Sequence, residues 1–110
     1  MSTRERRLYY RVHYPSALRP TLKLGGGTLP VIDISERGVR FVRDQPILDH
    51  IGETVVATVQ FRSGMTAEVE GKIVRVGERD VALELEPGIS FRIIVREQRL
   101  LIEMSPYFPV

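Results

Sequence analysis

The chain has no cysteine and two histidines, His13 and His50, in 110 residues. The first absence excludes a disulfide framework, a thiolate nucleophile and every cysteine-based zinc pattern, and two histidines far apart cannot make a structural zinc site alone. No apolar run approaches the roughly 18 residues a membrane span needs, and Met1 to Arg7 turns charged with no hydrophobic stretch behind it. A cytoplasmic, soluble protein with no membrane insertion is therefore expected. Internal repeats and low-complexity tracts are also missing. What remains is ordinary globular composition, 43% hydrophobic and 27% charged, in a length that suits one compact domain over residues 1–110.

The net charge is only +2, but it is unevenly placed. Residues 1–43 hold nine basic and three acidic side chains, a local charge of +6, whereas residues 44–110 carry −4. A basic first third on an acidic remainder implies that an anion meets the protein near its amino terminus, unless the arginines merely solvate an arm.

Residues 1–11 show no clear periodicity and read as an arm or loop. Strand patterns follow in short order: Thr21–Leu24, Val31–Ile34, Val39–Arg43, Thr54–Phe61, Thr66–Val76 and Val81–Leu85. Gly25-Gly26-Gly27, Ser35–Gly38 and Arg62-Ser63-Gly64 supply tight turns between them. After Pro87-Gly88 the period changes. Phe91, Ile94, Val95, Leu101 and Ile102 recur at helical spacing behind Ser90, a candidate N-cap, and the tail Met104–Val110 is apolar enough to pack. About six short antiparallel strands and one terminal helix suggest a small β-barrel, because closure removes the edges an open sheet would expose. The three divisions are a flexible basic arm (residues 1–14), the barrel (15–87), and the helix with its tail (88–110).

Several signals lead nowhere. Gly25-Gly26-Gly27 lacks the Lys-Ser or Lys-Thr and the helix of a phosphate loop, and reads as a hairpin connection. Ser35, Ser63 and His13 offer no nucleophile with a base at a recognisable spacing, so no catalytic residue is assigned and an enzyme is not expected. Tyr9, Tyr10 and Tyr14 either stack on bases or, as is commoner beside a barrel, close its open end.

Two patterns remain. Arg7 and Arg11 form an arginine pair four residues apart in the basic arm, and Asp33-Ile34-Ser35-Glu36-Arg37-Gly38 is an Asp-x-Ser-x-x-Gly segment at a strand end. The arginine spacing recurs at Arg75/Arg79 and Arg92/Arg96, so order and context must carry the weight. With the Arg6–Arg11 arm, the Val31–Phe41 segment, the Gly71–Arg75 strand and a helix after the barrel, nearly the whole chain resembles the PilZ domain, a bacterial receptor for the second messenger cyclic di-GMP. The resemblance implies a six-stranded antiparallel split barrel, a ligand held by Arg7, Arg11, Asp33, Ser35 and Gly38, and no cofactor. It further implies that Arg6 helps take up a stacked ligand dimer. Arg75 stands where related domains hold Trp or Arg and either stacks on a guanine or is a solvated barrel residue.

The residue types suit that ligand on their own chemistry. Cyclic di-GMP is a dianion whose guanines show O6 and N7 acceptors on one edge and N1 and N2 donors on another. An arginine fork can bond O6 and N7, or a phosphate, in parallel, and is charged at any relevant pH. Asp33 can accept from the guanine donors, Ser35 lies two residues along on the same strand face, and Gly38 permits positive φ or close backbone approach. Arg7 and Arg11 lie about 13 Å apart if extended and about 6 Å apart if helical, so they either span the ligand or converge on one group. Binding would draw the arm onto the barrel and signal through an unidentified downstream protein. Two rivals are a nucleic-acid-binding barrel, which gives no reason for Asp33 and Ser35, and a protein adaptor of the same fold that needs no nucleotide, which intact motifs disfavour.

Overall fold

The computed structural model describes residues 10–43 and 50–104. Its elements are β1 (Val12–His13), β2 (Thr21–Leu24), β3 (Gly27–Ser35), β4 (Gly38–Val42), β5 (Thr54–Gln60), β6 (Thr66–Val76), β7 (Asp80–Leu85) and α1 (Phe91–Met104). Strands β3, β2, β5, β6, β7 and β4 pair antiparallel in that order, and a β3–β4 pairing closes them into a six-stranded barrel. The short β1 stands outside the ring and pairs with the end of β3, Val12 opposite Ile34 and His13 opposite Asp33. All six strands expected from the alternation are present. The seventh, β1, falls within the segment assigned to the arm, too short for its period to show.

Local chemistry sets the register. At the β2–β3 hairpin Leu24 faces Gly27, and the two residues between them, Gly25 and Gly26, have φ of 57° and 95°, the left-handed backbone that a twist-matched two-residue turn requires. Inside the barrel, Val55, Ala57 and Val59 of β5, Val69 and Ile73 of β6, and Val81, Leu83 and Leu85 of β7 alternate inward. Between Val69 and Ile73, Gly71 is obligatory: a Cβ there would lie 2.5 Å from the Glu84 carbonyl oxygen. Tyr14 is buried with this core, so the last residues of the expected arm belong to the packed domain.

Helix α1 begins where expected, with the Arg92 amide donating to the Ser90 hydroxyl at 3.1 Å. Its inward side differs from the expected one. Ile93, Ile94 and Glu97 are buried and Leu101 packs against the core, whereas Phe91, Val95 and Ile102 are exposed. Apolar residues occupy more than half of this helix's circumference, so hydrophobic spacing did not select a face. The side facing in is the one that gives Glu97 three hydrogen-bond donors, and it also buries two isoleucines, each worth about 1.5–3 kcal/mol. Among the described residues no helix is long and apolar enough to cross a membrane. The tail residues 105–110 lie outside the described part.

Candidate functional site

Directly opposed residues form a row across five strands on the barrel's outer face. His13 of β1 faces Asp33 of β3, Asp33 faces Arg40 of β4, Arg40 faces Ala82 of β7, and Ala82 faces Arg75 of β6. A second row, Ser35, Gly38, Glu84 and Lys72, runs beside it. Cross-strand partners point to the same side of a sheet, so both rows line one surface. Register irregularities between Val31 and Asp33 and between Ile73 and Arg75 bend the wall here, as bulges commonly do at binding sites. The result is an open cleft of about 830 Å³. Its lining includes Arg11, His13, Asp33, Ser35, Arg37, Gly38, Arg40, Val74, Arg75, Ala82 and Glu84.

Asp33 is the hub, 1% exposed. Arg11 donates from Nη1 to its Oδ1 at 2.8 Å; Arg40 places Nε and Nη2 on Oδ2 at 2.9 and 2.8 Å; His13 Nδ1 stands 3.5 Å from Oδ2. A buried carboxylate must be compensated, and two guanidinium groups do so here. Arg40 reaches on to Asp80, Nη1 to Oδ2 at 2.9 Å, and Arg75 Nη2 lies 3.8 Å from that same oxygen. The hydrogen bond to Asp33, then the one to Asp80 and the charges of both carboxylates, push the Arg40 guanidinium still higher than arginine's ordinary value against the opposing effect of burial. Arg11 and Arg75 are much freer, with side chains 47% and 65% exposed. Four arginines and two carboxylates line the cleft, a net of +2.

Of the expected ligand residues, Arg11, Asp33, Ser35, Gly38 and Arg75 come together in this one cleft. Arg6 and Arg7 lie outside the described residues. Gly38 is not among the positive-φ glycines, which corrects the first of its two expected uses. A Cβ on it would lie 3.4 Å from both the Leu83 carbonyl oxygen and Ser35 Oγ and 4.0 Å from Arg11 Nη2. Its missing side chain therefore leaves the cleft floor open between the two motifs. Sequence reasoning missed His13 and Arg40. For Arg40 the signal existed: a two-residue turn pairs Ser35 with Gly38, and counting outward from that turn pairs Asp33 with Arg40.

Chemically, the cleft can hold an anion that also bears planar acceptor edges. Forked donors, those of Arg11 and Arg75 on exposed side chains, surround a buried carboxylate acceptor. Among the described residues no three of His, Cys, Asp and Glu gather as a metal site.

Comparison with known proteins bears on the fold and the family. The backbone superimposes on the Bacillus subtilis inhibitor of motility (MotI/DgrA) with a TM-score of 0.67 at 16% identity, covering 92% of this chain and 52% of that one. An uncharacterized Legionella protein matches at a TM-score of 0.55 and 13% identity, over 89% of this chain and 96% of the other. At such identities the likeness is one of fold. No curated protein sequence matches. Residues 5–105, nearly the whole chain, match the PilZ domain, and this protein belongs to the PilZ domain family.

Proposed function

We propose that the protein is a receptor for cyclic di-GMP, bound between the N-terminal arginine arm and the barrel wall at Asp33, and that it passes the signal to a protein partner rather than catalysing a reaction. The observation that carries this reading is the 2.8 Å bond between Arg11 and Asp33, which brings the two sequence motifs, 22 residues apart, into one cleft of net positive charge. A dianion suits that charge.

Recognition works by exchange. In the free protein both Asp33 oxygens are occupied, Oδ1 by Arg11 and Oδ2 by Arg40. When Arg11 turns to the O6 and N7 edge of a guanine, or to a phosphate, Oδ1 loses its donor inside a buried site. Guanine N1–H and N2–H restore it. Adenine offers no N1 proton and shows an amino group where guanine shows O6, so it leaves Oδ1 unpaired at a cost of about 1–3 kcal/mol. Ser35 joins beside Asp33, Gly38 leaves room, and Arg75 covers a second base with its guanidinium plane. Arg7 completes the clasp from the arm, and Arg6 favours a second, stacked ligand in the same site.

Calorimetric titration with cyclic di-GMP, with GTP and cyclic di-AMP as controls, tests this. Binding of cyclic di-GMP alone, weakened roughly 10- to 150-fold by Arg11→Ala, is expected. Equal binding by the variant refutes the clasp, a stoichiometry of one per chain refutes the stacked pair, and steeply salt-dependent binding of oligonucleotides would favour a nucleic-acid barrel instead.

A further inference from the structure

The second buried carboxylate of the fold has no place in ligand recognition. Glu97 lies on the inward side of α1, 0% exposed, and takes three hydrogen bonds. The Tyr14 hydroxyl donates to Oε1 at 2.5 Å, the Arg62 amide to Oε1 at 3.1 Å and the Ser63 amide to Oε2 at 2.8 Å. One side chain thus joins the helix, the β5–β6 turn and the residue that follows β1. A pair of apolar residues could fill such a position without any burial cost for polar groups, and buried polar links of this kind are weak stabilisers that instead fix one arrangement over its neighbours. Tyr14 remains a donor, because burial first, and then the hydrogen bond to and charge of Glu97, push its hydroxyl far above the ordinary phenol range.

The position of Tyr14 gives this link its meaning. Arg11, which holds Asp33, and Tyr14, which holds Glu97, flank the two residues of β1 and are about 10 Å apart in extended chain. That strand lies outside the closed barrel and joins β3 through two residue pairs and a bond from the Tyr14 amide to the Ile32 carbonyl oxygen at 3.0 Å, so its attachment is separate from the pairings that close the ring. A backbone shift at Arg11 would act on a strand whose other end is tied to the helix through Tyr14 and Glu97.

We propose that Tyr14 and Glu97 are positioning residues for the Arg11–Asp33 site, and that they carry a change in the state of that site through β1 to helix α1 and the β5–β6 turn. The inference rests on the cyclic di-GMP reading for the identity of the ligand and on the geometry alone for the coupling. Tyr14→Phe removes one hydroxyl and leaves the ring, and Glu97→Gln conserves shape, so both leave the core filled.

The first arm of the test uses the free protein and amide NMR. Tyr14→Phe should shift the Val12, His13 and Asp33 amides and speed their exchange while β5 and β6 stay protected. Arg11→Ala should move the Arg62 and Ser63 amides, which an exposed control, Lys23→Ala, leaves still. Changes confined to the helix and the β5–β6 turn in Tyr14→Phe, or silence of Arg62 and Ser63 in Arg11→Ala, overturn the coupling. The second arm adds cyclic di-GMP. The Arg62 and Ser63 amides should shift on binding, and Tyr14→Phe and Glu97→Gln should bind roughly 2- to 10-fold more weakly. Ile93→Val, a cut in the helix core, should lower stability without changing affinity. Binding that leaves Arg62 and Ser63 unmoved, with Tyr14→Phe equal to the parent, sinks the link and spares the receptor reading. A parent that fails to bind sinks the receptor reading, and the free-protein arm still decides the link.

Discussion

Replacing Arg40 by alanine tests how the cleft is held together without any ligand. Arg40 puts two donors on Asp33 Oδ2 and a third on Asp80, and Asp33 has almost no access to water. Removing one partner of a buried ion pair ordinarily costs about 3–5 kcal/mol, because the remaining charge is left uncompensated. Here the loss is smaller. Arg11 stays on Oδ1, and Arg40 is 29% exposed, so water enters the vacated space. The expected cost is about 2–3 kcal/mol, which lowers Tm by roughly 8–12 °C in a domain of this size. Arg40→Lys should lose about half as much, since one ammonium cannot serve both carboxylates in fork geometry. Urea unfolding followed by circular dichroism gives the values, and a double-mutant cycle with Asp33→Ala should return a coupling above about 1.5 kcal/mol. A loss below about 0.5 kcal/mol for Arg40→Ala, or additivity in the cycle, would refute the hub.

Three further outcomes are expected. The Tyr14 hydroxyl is raised in the folded state and ordinary in the unfolded one, near 10, so its contribution is complete below pH 10 and is lost as pH rises above it; stability should fall by about 1.4 kcal/mol per pH unit beyond that point, and the slope should lessen by that amount in Tyr14→Phe. Gly38→Ala adds a methyl at contact distance from Ser35 Oγ and near Arg11, so it should weaken cyclic di-GMP binding at nearly unchanged Tm, whereas Gly88→Ala, with its Cβ 2.0 Å from the Glu36 carbonyl oxygen, should damage the fold itself. Cyclic di-GMP at 100 times its Kd should stabilise the protein by about 2.7 kcal/mol per ligand bound, seen as a rise in Tm that Arg11→Ala cuts to what about 0.3–1.4 kcal/mol gives at the same concentration.

The barrel was legible because its strands alternate. One wall faces the core and the other faces water, so period-two patterns from Thr21 to Leu85 mark every strand of the ring. The Asp33–Gly38 motif was legible because Asp33, Ser35 and Gly38 are grouped within six residues. What could not be read depends on contacts between distant segments. Two residues, Val12 and His13, carry too little pattern to announce a strand, and their pairing with Ile34 and Asp33 is tertiary. The inward side of α1 was misread for a related reason: spacing ranks residues by hydrophobicity, but Glu97 faces in because Tyr14, 83 positions earlier, and the β5–β6 turn supply its donors. Arg40 lay between these cases, derivable once the turn is fixed at two residues.

The two arginines on Asp33 are not equivalent, and the difference assigns their tasks. Arg40 has three donors engaged by two carboxylates, so turning it outward would break three charge-assisted bonds and leave each anion with one weaker or more exposed partner. Arg11 has one such bond, is half exposed, and sits at the edge of an outer strand. Moving Arg11 costs a single bond, which an incoming anion can replace at once. Net affinity is then a difference between bonds surrendered to Asp33 and bonds gained on the ligand, and Arg11 shows a surplus where it exchanges its one bond for the two parallel bonds of a guanine edge or a phosphate. A further surplus comes from cations with little to surrender, and Arg75 on the barrel wall, mostly exposed and paired only at 3.8 Å with Asp80, is well placed for this. On the proposed reading, the cleft favours a ligand that presents donors to Asp33 and acceptors to the arginines together.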